Sequence, residues 1–191
     1  MENRHPPANG IGAGDPHQIL AMLQGGDRRS IGRSNEVVAI VLAQPELFDV
    51  LMQGMLLDDP LLRMRCADAA EKVSVVHPEY LQPYRQVILD ELSKVEQQEV
   101  RWHVAAMLPR LELDRDETRK AVALLLGWTN ERSSIVRTLA MQALADIALR
   151  DRKWLPEVRR HLGELTITGT LAMQARGRKL LAAFDKKRNG K

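Results

Sequence analysis

An apolar stripe at helical spacing returns four times along this chain, each time beside one long polar side chain. That return restricts the possible folds more than any other feature. Arg63, Arg101, Arg137 and Gln174 stand 38, 36 and 37 residues apart. The residue before each is apolar: Leu62, Val100, Val136 and Met173. Three places on come Cys66, Val104, Ala140 and Gly177; six on, Ala69, Met107, Ala143 and Leu180. Seven on are Ala70, Leu108, Leu144 and Leu181, and ten on are Val73, Leu111, Ile147 and Phe184. Such offsets share one side of an α-helix. A single helical pair cannot bury that stripe alone, so the repeat predicts stacked neighbours that bury it together.

Short polar breaks separate the helical stretches. The spacing predicts helices near 16–24, 36–43, 46–57, 60–76, 79–94, 97–110, 115–128, 132–150, 154–166 and 170–185. Asp15-Pro16 has the form of an N-cap followed by proline at the first helical position, and Ser34 or Asn35 is placed to cap the next helix. The basic stretch from Asp27 to Arg33 reads as a loop after Gly25-Gly26. Composition agrees with a helical chain. Aromatic residues are 4% of the 191 residues, and the 45% apolar content is carried by Leu, Ala, Val, Ile and Met. The run Val73 to Val76 is the one β-like stretch, and it sits inside a helical phase. Residues 1–14, rich in Pro, Gly and Asn, are expected to be a disordered leader. Residues 15–185 are expected to form one domain and 186–191 a frayed basic tail.

Three segments carry a resemblance to a known class. Asp58-Asp-Pro-Leu-Leu-Arg63-Met-Arg-Cys-Ala-Asp-Ala-Ala70, Glu99-Val-Arg-Trp-His-Val-Ala-Ala-Met-Leu108 and Ser134-Ile-Val-Arg-Thr-Leu-Ala-Met-Gln-Ala-Leu144 resemble the second-helix signature of HEAT repeats. The resemblance covers roughly residues 15–185, as four full pairs and an atypical first one. It implies an all-α fold, an α-α superhelix of the HEAT/armadillo-like solenoid type with about five helical pairs. The fourth repeat departs from the pattern, with Gln174 in place of arginine and glycine at 177. As to function, the resemblance implies a binding scaffold whose second helices line a concave surface.

A helical wheel puts the positions one, five and eight after the aligned arginine opposite the apolar stripe. From these and their flank comes a candidate partner-binding strip: Met64, Arg65, Trp102, His103, Arg110, Thr138 and Gln142. Met64 and Trp102 would make an exposed apolar spot ringed by Arg65, His103 and Arg110, suited to a helix or peptide of another protein. The alternative is that Trp102 is a packing residue covered by other parts of the chain. Arg63, Arg101 and Arg137 read as a structural ladder bonding the preceding turns, where Asp58, Asp59, Glu96 and Glu131 sit. A ladder of cations for phosphates is the competing reading.

Catalytic chemistry finds little support. The five histidines are scattered, no His-Glu-x-x-His occurs, and one cysteine excludes both an internal disulfide and a multi-cysteine metal site. Cys66 falls on the core stripe. The turn carboxylates at 58, 59, 114, 116 and 117 suit helix capping rather than acid–base work. The expectation is therefore no enzyme, no metal and no cofactor. Charge is more uneven than the net +3 suggests. Residues 150–191 hold 12 Lys and Arg against 4 Asp and Glu, net +8, while residues 1–149 hold 16 against 21, net −5. Arg159, Arg160, Arg176, Arg178 and Lys179 in that basic third are candidate polyanion contacts, which makes nucleic-acid binding the alternative function. A DNA glycosylase on a HEAT-like scaffold stands behind it, with no catalytic residue that can be matched. No apolar stretch is long enough to cross a membrane, and no secretory signal precedes the repeats. A cytoplasmic protein with a protein partner and no membrane contact is expected.

Overall fold

A computed structural model describes residues 15–27 and 29–189, except for the side chains of 187–189. The expected leader at 1–14 and the last two residues of the expected tail lie outside the described residues. Among the described residues ten α-helices follow one another: α1 (Pro16–Leu23), α2 (Ser34–Ala43), α3 (Phe48–Gly54), α4 (Pro60–Val76), α5 (Arg85–Asp90), α6 (Gln98–Met107), α7 (Arg115–Trp128), α8 (Ser134–Arg150), α9 (Leu155–Thr168) and α10 (Leu171–Asn189). No strand occurs among the described residues, and none of their helices is long and apolar enough to cross a membrane.

Local chemistry sets the helix starts. Asp15 and Asp59 each precede a proline at the first helical position, and each side chain accepts backbone N–H groups of the first turn. Asp114 and Glu117 form a reciprocal capping box at α7. At α2 the expectation is corrected. Ser34 is itself the first helical residue, and its hydroxyl turns away to another helix rather than capping its own. The single helix expected over 79–94 is broken into a 3-10 stretch Pro78–Tyr84, then α5, then a 3-10 turn Leu92–Lys94. Pro83 lies inside the first piece, where it removes a donor and crowds the preceding turn. Proline 109 likewise ends α6 in a 3-10 turn. At the other end of the chain, α10 runs to Asn189, beyond the helix end expected at 185.

The repeated stripe forms the core. Every position of the apolar stripe is buried except Leu181, which is half-buried like the aligned arginines and Gln174. Even helices pack successively on one another, α2 on α4, α4 on α6, α6 on α8 and α8 on α10. Helices α3, α7 and α9 pack on the even helix that follows each of them. Apart from Gln174 reaching Ile167 O across the α9–α10 turn, side-chain hydrogen bonds that tie separate α-helices together span about one repeat, from 26 residues for Arg159 and Asp185 to 42 for Arg65 and Leu23.

Each aligned polar side chain closes the break before its own helix. Arg63 donates to Leu57 O at 3.1 Å, Arg101 to Val95 O at 2.9 Å and Arg137 to Arg132 O at 3.1 Å. Gln174 does the same toward Gly169 O at 3.0 Å, which fixes the register of the fourth repeat. The structural ladder thus holds backbone carbonyls, not the turn carboxylates at 58, 59 and 96. Two rungs also reach forward: Arg63 donates to Gln97 Oε1 at 3.0 Å, and Arg101 pairs with Glu131 of the next break.

Glycine at 177 is explained by the packing of α9 on α10. A Cβ there would lie 2.1 Å from Thr166 Oγ1. Gly177→Ala should therefore cost about 1–3 kcal/mol in urea unfolding. Adding Thr166→Ala, which deletes the clashing oxygen, should restore most of that loss.

Candidate functional site

Residues 24–27 and 29–33 leave the repeat pattern and fold back over the start of the strip. Their anchor is Arg65, 1% exposed. Its guanidinium donates to five backbone carbonyls: Leu23 at 2.7 Å, Gly25 at 2.6 Å, Asp27 and Ser30 at 3.2 Å, and Gln24 at 3.4 Å. A charge in such a place is tolerated because its donors meet aligned dipoles in place of water. Gly32 has φ of 57°, and a Cβ there would stand 2.8 Å from Arg65 Cζ. Only glycine gives both the left-handed turn and that approach.

Two members of the expected strip are thereby corrected. Met64, 7% exposed, and Arg65 are buried, so they do not form an exposed apolar spot with a basic rim. The loop that covers them leaves a recess of about 290 Å³ between itself, α4 and α6, lined by Ile31, Met64, Asp68, Glu99, Trp102 and His103 among others. Ile31 on the loop side is 40% exposed. Trp102 is half-buried, meets the His103 ring edge-on at 5.7 Å, and its indole N–H has no hydrogen-bond partner among the described residues.

Behind the recess lies a polar network that sequence reading did not assemble. Asp68 Oδ2 accepts from Ser34 Oγ at 2.5 Å and Lys72 Nζ at 2.7 Å, and Lys72 also donates to Asn35 Oδ1 at 2.8 Å. One repeat on, Arg110 pairs with Glu71 and donates to Glu71 O at 2.8 Å and to Ser74 Oγ at 2.7 Å. His103 Nδ1 lies 3.9 Å from Glu71 Oε2, too far for a hydrogen bond. Burial pushes the His103 imidazole below the ordinary histidine value, against the opposing pull of Asp68 and Glu71. Spacing gave one usable signal here: Asp68 and Lys72 are four apart on one helix face. Ser34 and Asn35 carried none, because their helix follows the loop that breaks the repeat.

The remaining expected residues are dispersed. Thr138 Oγ1 donates to Ser134 O of its own helix at 2.9 Å. Gln142 bonds Asp146 Oδ1 at 2.9 Å and accepts from Arg176 Nη1 at 3.0 Å, so Arg176 continues the strip onto α10. The five candidate polyanion contacts do not make one face. Arg159 pairs with Asp185 at 2.9 Å and Arg160 with Glu164 at 2.7 Å. Arg178 follows two residues after Arg176, roughly 200° round the helix. Arg178 and Lys179 are exposed. Cys66 is fully buried, and burial lifts its thiol to about 12, so it is no nucleophile at neutral pH. Among the described residues no group of three or more His, Cys, Asp and Glu converges on one point. Comparison with family models, with curated proteins and with solved structures found no match.

Two expected outcomes follow from this geometry. Arg65→Met leaves buried carbonyls without donors and should lower stability by roughly 3 kcal/mol. It should also speed tryptic cleavage after Arg29 and Arg33, which a band shift on limited proteolysis would show. His103 and His161 are both held below the ordinary value of 6.5, chiefly by burial. Their contribution to stability is present above that pH and is lost as pH falls through the lower native values. Urea midpoints should therefore decline on acidification from pH 7 to about pH 5, with a shallower slope in His103→Gln.

Proposed function

We propose that this chain is a HEAT-like α-solenoid that acts as a non-catalytic scaffold, holding a segment of another protein on the face formed by its even-numbered helices. The one-dimensional architecture is supported by the succession of packed even helices and by polar ties about one repeat long.

The observation that carries the binding reading is the recess beside Trp102. It combines a half-buried indole, whose N–H is unmatched among the described residues, with apolar Ile31 and Met64 and with polar atoms of Asp68, Glu99 and His103. Such a mixture suits an apolar side chain of a partner with polar backbone around it. The basic third supports a nucleic-acid reading less well, because Arg159, Arg160 and Arg176 each have a partner within the chain, in Asp185, Glu164 and Gln142, and do not form one face with Arg178.

The test is capture of partners from nuclease-treated lysate by the immobilised chain, with Trp102→Ala alongside. A discrete protein should persist after nuclease and be lost from the variant, weakened by about 2 kcal/mol as for a central aromatic anchor. Circular dichroism should show unchanged helix content. Binding that vanishes with nuclease, or that survives Trp102→Ala at full strength, would remove the proposal.

A further inference from the structure

The same inter-repeat groove recurs where the even helices end, and its last copy has changed character. In the α6–α8 region a cavity of about 270 Å³ is lined by Glu112, Thr118, Ile147 and Arg150 among others. Arg150 Nη1 crosses it to Pro109 O at 2.7 Å. One repeat earlier the groove is lined by Gln82 and Glu112. The Gln82 amide is locked to the Glu112 backbone there, donating to its carbonyl at 2.6 Å and accepting from its N–H at 3.0 Å.

Advancing by the 37-residue step that relates Arg137 to Gln174 carries Glu112 to Leu149, Thr118 to Leu155 and Ile147 to Phe184. Those three residues, with Pro156, wall a cavity of about 270 Å³ between α8, α9 and α10. Two polar groove residues have thus become leucines. Arg152 and Arg159 complete the lining. Arg159 pairs with Asp185, whereas Arg152 is exposed and has no side-chain partner among the described residues. Two guanidiniums against one carboxylate leave one positive charge beside an apolar slot.

From this juxtaposition we infer that the α8–α9–α10 cavity is a binding site for a small amphiphilic anion, a medium-length aliphatic chain ending in a carboxylate. The chain lies against Leu149, Leu155, Pro156 and Phe184. The carboxylate meets Arg152 at the edge, with Arg159 beside it, a charge-assisted contact that a neutral head group cannot make. The volume is a little below the roughly 300–1,000 Å³ of pockets that hold drug-sized ligands, which favours a medium rather than a long chain. This site lies apart from the recess beside Trp102 and stands or falls independently of the scaffold reading.

Isothermal titration of the full chain with octanoate, octanol and acetate tests it. Octanoate should bind saturably, octanol about tenfold more weakly for want of the charge, and acetate not detectably. Arg152→Gln, at an exposed position, should weaken octanoate by about tenfold while leaving octanol unchanged. The double variant Leu149→Glu with Leu155→Thr restores the residues found one repeat earlier and should abolish octanoate binding with helix content preserved. No octanoate binding, equal affinity for octanol, or indifference to Arg152→Gln would overturn the inference. So would tighter binding of a short peptide ending in Leu-Phe than of octanoate, since the site would then read protein termini.

Discussion

The breaks before α4, α6, α8 and α10 leave backbone carbonyls that this molecule answers with one long side chain from the helix that follows. Arg63, Arg101, Arg137 and Gln174 do this at equivalent places, within 3.2 Å of the carbonyls they hold. The contact fixes how each even helix leaves its turn, and so where its apolar stripe points. Arg63 and Arg101 add a bond to the following repeat, to Gln97 and Glu131. Local closure and neighbour contact are thereby built from the same guanidinium. Among the described residues Arg137 has no such forward bond, and its buried Nε has no partner.

Arg65 uses the same chemistry to a different end. Two residues past the ladder position, it gathers five carbonyls of an irregular loop instead of one from a turn. A loop of that kind has little apolar surface of its own, with Ile31 exposed and Arg29 and Arg33 in solvent. Its order comes from the buried cation at its centre and from glycines that admit it closely. The recess beside Trp102 owes its outer wall to that arrangement. The scaffold proposal therefore rests on a feature outside the repeat, laid over a surface that the repeat supplies.

The helical class and the core were legible because they depend on periodicity, which is a local property. Leu62, Val100, Val136 and Met173 are buried where their spacing puts them, and Asp15 and Asp59 cap where an Asp-Pro pair must. Fragmentation at Pro83 was legible in principle, since proline cannot donate within a helix. Residue exposure on the strip was not. A helical wheel knows only the helix's own axis, so it placed Met64 and Arg65 outward and was blind to a loop arriving from 35 to 42 residues upstream. Gly25, Gly26 and Gly32, all with positive φ, were the trace of that loop, yet glycines alone do not say which side chain they enclose. Partners across repeats, such as Ser34 with Asp68, escape any reading confined to one element.

The scaffold reading turns on whether the rim of the recess meets another polypeptide. Site-specific photo-crosslinking at Ile31, 40% exposed on that rim, measures this most directly, with Ile135, 50% exposed on α8, as the control position. In nuclease-treated lysate the account predicts a discrete polypeptide adduct from position 31 and none from 135. An adduct equally abundant at both positions, or no polypeptide adduct at 31, would contradict it.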